Sequence, residues 1–568
     1  MPTAFDNWVE GFYAYVAGDP NDRVELGIDE RLGELPDPSL AAQRSRVGEA
    51  QRLRQELDAL PAAEGFDETL DRDLAALQLD RAIHLGQYTF NGLPRLAQTP
   101  QAGSGLGDPI LMLLIRDPRP AGERLADITA RLEQTPAYLD AMLARLERPV
   151  DRWRSMDLGQ LAGLPQLFQA VTDLALQENW ADSSRLATAR TAAETAITRY
   201  CEGLKALPAA PGLAVGTETA QRIVDLRGIG MSLSELHTMA RTFLADIDQE
   251  LDALADRLAP RYGLPADVGH AQLQELLSQR FALKIQGDPV QAVLDRYNDE
   301  RGRILSFIDQ HQLFPIPASH AMDVMQTPAF LEAVIPAGAM VPPPPFRAGV
   351  RRSIVYLTLG PDRVAEHDEL SIPTMMIHEG IPGHHLQLAH AASHPSVIRR
   401  QFDSAAHAEG WTTRLEDYML DRGYMGELTD EGRFCAKREI ARIGARVAID
   451  CFFMTGDAGY LDVGVDCDVS AADPFEAAGA LLSAVTGFSP ERVLGELSWY
   501  SLERGYPLSY LAGNRAVAAL EAELKASPTN TLDDLALERE FHRVYLKSGN
   551  MPLSMLRRVF VNEGLLPA

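Results

Sequence analysis

Residues 371–390 read SIPTMMIHEGIPGHHLQLAH, and the way this stretch folds decides what the rest of the chain is built to hold. Ser371 is a candidate helix N-cap, and Pro373 suits a first turn, where its missing N–H costs nothing. A helix from Thr374 to about Gly380 presents His378 as a first metal ligand, because imidazole nitrogen is a good zinc donor. Glu379 follows about 100° round the helix. In the spelling H-E-x-x-H that glutamate does not bind the metal; it faces the water there as general base. Here position i+4 is Pro382, whose ring would clash with the carbonyl of His378 and which donates no backbone hydrogen bond. Gly380 and Gly383 on either side permit unusual backbone angles. The helix is therefore expected to bulge or break between them and to resume at HHLQLAHAA. A bulge of two residues brings His384 to the place of the usual i+4 histidine. His385 is the alternative: in an unbroken helix it lies about 20° from the face of His378 but about 10.5 Å along the axis, a strained chelate. Whichever histidine is not used would bind substrate or polarise its carbonyl.

Outward from this segment, a third ligand is expected from another element, and a carboxylate is the usual choice. The segment SAAHAEGWTTRLEDYML reads as a neighbouring helix and offers Glu409, Glu416 and Asp417, with His407 as a spare. Glu409 precedes a small-then-large pair, Gly410-Trp411, suited to close packing against the metal helix. Glu416 lies on roughly the same side and could orient a ligating histidine. Isolated His-Glu pairs arise by chance on many helices. Here chance would have to place His378, Glu379, His384, His385 and Glu409 together around a Pro-Gly insertion.

The remainder reads as helix after helix up to about residue 310, with apolar positions three and four apart. Ser183 or Ser184 and Ser232 are candidate caps. Further helices are expected at roughly 400–422, 430–453, 473–483, 489–502, 511–526 and 532–547. The break is residues 330–361, proline-rich and carrying RSIVYLTL, which predicts an irregular stretch with a strand or short hairpin. That strand could align an extended peptide by backbone pairing, or serve only as a linker. PPPPF at 342–346 reads as a spacer or a rigid lip of a cleft. The expected fold is all-α and two-lobed, with a small β element before the metal helix. Residues 1–329 would form an N-terminal helical lobe and 330–568 the catalytic lobe.

Bulk composition sets limits on function. The net charge of −27 argues against partners that need cationic patches, namely nucleic acid and anionic membrane surfaces. It suits cationic or zwitterionic small substrates, or serves only solubility. No apolar run is long enough to span a membrane. The first twenty residues carry Asp6 and Glu10 where a signal peptide would be basic or apolar, so a cytoplasmic protein is expected. Cys201, Cys435, Cys451 and Cys467 lack zinc-ribbon spacing and read as buried thiols.

HEGIPGHHLQ followed by EGW resembles the bacterial domain-of-unknown-function family 885, whose signature is H-E-x-x-P-G-H-H-x-Q and then E-G-W. The opening FDNWVEGFYAYVAGDPNDRVELGI, the helix REIARIGARVAID, the segment GYPLSYLAGNRAV and the ending REFHRVYLKSGNMPLSMLRRVF are similar to further landmarks of that family. The likeness spans nearly the whole chain. It departs at EGIPGHH, where aromatic residues are frequent before the proline, and at IDCFFMTG, where a histidine of the family pattern is missing.

The resemblance implies kinship with zincin metallopeptidases, a helical pair of lobes around a deep channel, and one zinc ion. It also implies that His384 rather than His385 pairs with His378. Tyr506 and Tyr510 are candidate oxyanion donors, and matching to the family favours Tyr510. Arg442, Arg446 and Asp450 lie at helical spacing and could hold a substrate carboxylate, brace the ligands, or form a helix-to-helix salt-bridge network. His542 reads as a structural histidine.

The expected activity is a zinc-dependent metallopeptidase of short peptides, with Glu379, Tyr510 and His385 at the chemistry and His378, Glu409 and His384 or His385 at the metal. The alternatives are a metal-dependent amidase or other hydrolase of a non-peptide or modified-peptide substrate, and a non-hydrolytic metal-containing peptide-binding protein. Manganese, cobalt or iron could replace zinc in a two-histidine, one-carboxylate site. The oligomeric state is not legible in the sequence.

Overall fold

Apolar residues three and four apart leave each helix one face to bury, and the segment Leu233–Leu258 shows how that closes a core. It buries Leu236, Ala240, Phe243, Leu244, Ile247 and Leu251 along one side. At about 1.5–3 kcal/mol for each large side chain fully buried, such a face outweighs any difference in helix propensity. Ser232 caps this helix through a reciprocal box with Glu235, as the sequence predicts. The helix expected to be capped by Ser183 or Ser184 starts at Ser183 with no side-chain cap; the Ser183 hydroxyl donates to the Trp180 carbonyl instead.

The computed structural model describes residues 2–567 except 266, 329–334, 336–337, 361–363 and 529, and omits the side chain of Ala365. The fold is mainly α-helical. Its β structure among the described residues is a two-residue ladder of β1 (Thr89–Phe90) with β2 (Leu93–Pro94), and one three-stranded sheet. That sheet has β5 (Arg351–Leu357) in the middle, parallel to β3 (His320–Gln326) and antiparallel to β4 (Gly338–Val341). The sequence reading foresaw β5 but missed β3, whose HAMDVMQ is half exposed and lacks an apolar alternation. β3 pairs with β5 along its whole length and β4 covers Ile354–Leu357 on the other side, so over Ile354–Leu357 the strand just before the metal segment has no open edge for a peptide. Part of the expected irregular stretch, residues 330–334, 336–337 and 361, lies outside the described residues.

The described residues divide into two units. One runs to Val215 and takes in Pro344–Ala348; the other takes in Gly216–Pro328, Ile335–Pro343 and Gly349 onward. The division therefore falls near 215, where the expected lobe boundary was 329. The reason is packing: Leu233–Leu258 lies against Arg442–Thr455, where Gly444 admits Leu244 so closely that a Cβ there would sit 2.7 Å from Leu244 Cγ. In the first unit, Asp19 caps the helix Pro20–Leu26, and buried Arg131 donates to the carbonyls of Pro20 and Leu32 and to Asn21 Oδ1. The Pro-rich run 342–346 is split between the two units, with Pro344–Phe346 in the first.

In the second unit the expected C-terminal helices form at Ala405–Asp421, Thr429–Ile440, Arg442–Thr455, Pro474–Thr486, Pro490–Leu502, Ser509–Ala526 and Asp534–Lys547. The single helix expected at 430–453 is interrupted at Ala441, between two helical segments. Helices Ala405–Asp421 and Ser509–Ala526 cross at two glycines. A Cβ on Gly410 would lie 2.5 Å from the Gly513 backbone, and one on Gly513 would lie 2.2 Å from the Ala406 carbonyl. This crossing holds Glu409 and the two tyrosines, Tyr506 and Tyr510, beside each other.

Candidate metal centre

The segment 371–390 breaks where its proline requires. An α-helix, Ser371–Met375, widens into a π-helical turn, Met376–Gly380, and a new α-helix starts at His384. Ser371 is not the cap. Asp368 takes that role, its Oδ1 accepting from the backbone N–H groups of Leu370 at 3.0 Å and Ser371 at 2.7 Å. Gly380 and Gly383 are not needed for a left-handed backbone, since neither has positive φ. Gly383 is needed for proximity: a Cβ there would stand 1.9 Å from the carbonyl oxygen of His378 and 2.2 Å from that of Ile377. The chain thus folds back on the turn that bears His378. The Pro382 carbonyl accepts from Trp411 Nε1 at 2.9 Å. Trp411 therefore fastens the loop, while Gly410 serves the crossing with Gly513 rather than contact with the metal helix.

The fold-back brings His384, and not His385, to His378. His384 Nε2 lies 3.3 Å and His378 Nε2 lies 3.7 Å from the same oxygen, Oε2 of Glu409. The three donor atoms all lie within 4.8 Å of one another, and all three residues are buried. Donors 2.0–2.1 Å from a tetrahedral centre are roughly 3.3–3.4 Å apart, so the set has the dimensions of a zinc site. Glu409 Oε2 is buried without a hydrogen-bond partner among the described residues, a costly state for a carboxylate oxygen that a cation would relieve. The other oxygen, Oε1, accepts from Tyr506 at 2.9 Å. Glu416 Oε1 meets His378 Nδ1 at 2.7 Å and so points Nε2 at the cluster, the orienting role expected for it.

The electrostatics agree. Burial disfavours a charged His378, yet the Glu409 and Glu416 carboxylates beside it push its imidazolium up to about 10. Burial likewise works against an ionised Glu409, but His384 and His378 hold its carboxyl well below the usual range. In a site of this kind a proton stands where a cation would bind.

Glu379 and Tyr510 line a cavity of about 310 Å3 together with His378, Glu416, Arg438 and Arg442. Neither Glu379 nor the Tyr510 hydroxyl has a hydrogen-bond partner among the described residues, so both remain available to a ligand. Burial, with Glu409 nearby, raises both tyrosines well above the usual phenol range, and they are neutral donors. Tyr506 is committed to Glu409, which leaves Tyr510 as the free phenol.

Other expected residues have different duties. His385 bonds Ser353 Oγ at 2.7 Å and His320 Nδ1 at 2.9 Å, tying the segment to β5 and β3. It is fully buried and is not among the residues lining the cavity, so the structure gives it a bracing place rather than a catalytic one. Asp450 bonds none of the three candidate ligands among the described residues and is not among the residues lining the cavity. Its carboxylate accepts the backbone N–H groups of Gly505 and Leu508, which pins the turn carrying Tyr506 and Tyr510. Arg446 bonds Tyr500 and Glu496 and stacks over the Tyr510 ring at 4.4 Å, fixing that ring's position. His407 bonds the Met551 carbonyl and His542 the Leu313 carbonyl, both in the core. Asp417 pairs with Arg433 and Lys437. Sequence reading missed Asp368 and Trp411's anchoring of Pro382; the E-G-W motif was the only signal for the latter.

The family model described as a bacterial protein of unknown function, DUF885, matches residues 20–560. No curated protein matches the chain. Two solved structures have the same fold. One is a candidate lipoprotein of unknown function from Shewanella oneidensis, 17% identical, covering 99% of this chain and 100% of that one, with a TM-score of 0.76. The other is a candidate lipoprotein from Colwellia psychrerythraea, 16% identical, with 99% and 100% coverage and a TM-score of 0.78. At these identities the likeness is one of fold alone.

Proposed function

The chain belongs to the bacterial family DUF885, and on that premise we propose that it is a metal-dependent hydrolase of zincin type, a metallopeptidase acting on short peptides. The observation that carries this reading is the convergence of His378, His384 and Glu409 on one buried point, with Glu409 Oε2 otherwise unsatisfied. Zinc is the metal that two imidazoles and one carboxylate at this spacing suit best.

A divalent metal held there supplies Lewis-acid polarisation of a carbonyl and a lowered pKa for water. The chain's own groups do the rest. Glu379, free of other partners in the cavity, takes the proton from the attacking water and returns it to the leaving amine. The water oxygen forms the new bond to the carbonyl carbon, the C–N bond breaks, and the products are an acid and an amine. Tyr510 donates a hydrogen bond to the carbonyl oxygen as negative charge develops on it. Glu416 and Tyr506 hold His378 and Glu409 in their ligating orientations. A general base without a structural partner favours hydrolysis over mere peptide capture.

The test combines metal content with one substitution. Purified protein is expected to hold about one zinc per chain by elemental analysis and to cut a peptide library in a chelator-sensitive way. Glu379→Gln is expected to keep the metal and lower turnover by about 10²–10⁴-fold. A chain that takes up no metal, or a Glu379→Gln variant with full turnover, refutes the reading.

A further inference from the structure

The wall of the 310 Å3 cavity that bears Glu379 and Tyr510 also bears three arginines, Arg438, Arg442 and Arg492. The carboxylates Glu366, Asp368, Glu379, Glu416 and Glu439 line the same cavity. Glu439 is the only carboxylate paired with any of them among the described residues. It lies 2.5 Å from Arg442 Nη1 and 3.5 Å from Arg492 Nη2. Among the described residues Arg438 has no carboxylate partner, and its hydrogen bond there is a long one, 3.5 Å, to the Thr486 carbonyl. The Nε atoms of Arg442 and Arg492 are buried and unpartnered. Arg492 sits over the Phe488 ring, its guanidinium carbon 3.5 Å from the centroid, a contact that restrains its fork before any ligand arrives.

With Arg438 unpaired by any carboxylate among the described residues and the two buried Nε atoms unpartnered, guanidinium donors on this wall are left unspent, and such forks match a carboxylate better than any other group a peptide carries. The reacting end of the cavity is close: the charge of Arg442 is felt by Tyr510 and by the Glu416 that orients His378. The volume stands at the lower end of the roughly 300–1,000 Å3 usual for small-molecule sites, enough for a few residues of peptide and no more.

We infer that Arg438, Arg442 and Arg492 form a subsite for a substrate carboxylate, and that the protein removes short C-terminal fragments by anchoring the free chain end there. This rests on the hydrolase reading above. A chain held by its terminal carboxylate in so small a cavity presents to Glu379 a bond near that end, which makes the enzyme an exopeptidase.

The test is a binding comparison in zinc-loaded Glu379→Gln protein, so that no turnover intervenes. Three probes are titrated calorimetrically: N-acetyl-alanyl-alanine, its C-terminal amide, and N-acetyl-alanyl-glutamate amide with only a side-chain carboxylate. The free acid is expected to bind about tenfold or more tightly than its amide, as loss of a charge-assisted hydrogen bond requires. Arg442→Gln and, separately, Arg438→Gln are expected to shrink that ratio toward one without changing the affinity of the amide. Equal binding of the glutamate amide and the free acid would keep the carboxylate subsite but overturn the C-terminal assignment. Equal affinity for all three probes, or no binding of any, overturns the subsite altogether. The wild-type comparison stands even where a variant fails to fold. The hydrolase reading fails separately, if metal-loaded wild-type protein cuts none of the peptides.

Discussion

A methyl group at position 383 tests how tightly the metal loop is drawn. In Gly383→Ala the new Cβ would lie 1.9 Å from the His378 carbonyl oxygen and 2.6 Å from its carbonyl carbon. These are backbone atoms and cannot rotate away. Real Cβ contacts do not fall below 3.0 Å, so the chain at 383 and the turn bearing His378 must part by roughly 1 Å. One ligand, His378, lies on one side of that contact, and the other, His384, is the next residue on the opposite side. Ligand positions tolerate errors of about 0.2 Å, several times less than the forced shift. Overpacking of this kind costs about 1–3 kcal/mol, which a large unit survives. The expected result is therefore a folded protein that has lost its metal. Zinc per chain, measured after dialysis against limiting zinc, should fall to a small fraction, while the thermal transition stays cooperative. Gly380→Ala is the control, since its Cβ would meet Met322 Sδ and Met376 Cε, both at 3.1 Å, and flexible thioethers give way. It should hold zinc as wild type does. If Gly383→Ala binds zinc with unchanged affinity, the close approach does not position the two histidines and this account of the loop is wrong.

The two tyrosines should separate cleanly. Tyr506→Phe removes the donor to Glu409 Oε1 and is expected to weaken metal binding about 10–100-fold, measured by competition with a chelating dye. Tyr510→Phe should leave metal affinity alone and lower kcat about 10²–10³-fold; the opposite pattern would exchange their roles. His385 contributes to acid stability, alongside the buried His367, His407 and His542. Burial, with His320 beside it, holds its imidazole down to about 3, so between pH 6.5 and 3 the unfolded chain takes a proton that the folded chain refuses. Its contribution is thus present above pH 6.5 and lost as the pH falls toward 3. His385→Gln should lose less stability than wild type over that window, by an amount on the order of a few kcal/mol in urea titrations at pH 7 and pH 4. Identical losses in the two proteins would remove His385 from the acid response.

What the sequence determined alone is what depends on neighbours within a turn or two. Apolar spacing placed the C-terminal helices to within a few residues, because each side of a helix meets the core every three or four positions. Pro382 broke the metal helix because its ring collides with the carbonyl four residues back; that local rule favoured His384 but left His385 as an alternative, and the fold-back decided between them. Where the contact lies across the fold, the residues themselves are silent. Tyr506 and Tyr510 stand four apart with the same chemistry, and only the Gly410–Gly513 crossing assigns one to Glu409 and leaves the other facing the cavity. Asp450 reads as a ligand brace until the 505–508 turn is seen resting on it. His385 reads as catalytic until β5 and β3 bring Ser353 and His320 to its two nitrogens. Arg438 and Arg492 drew no notice because they are 54 residues apart, and their meeting at one cavity is set by helix packing alone. Local sterics are written in the chain; the choice of partner for each side chain is made by the close packing of distant elements.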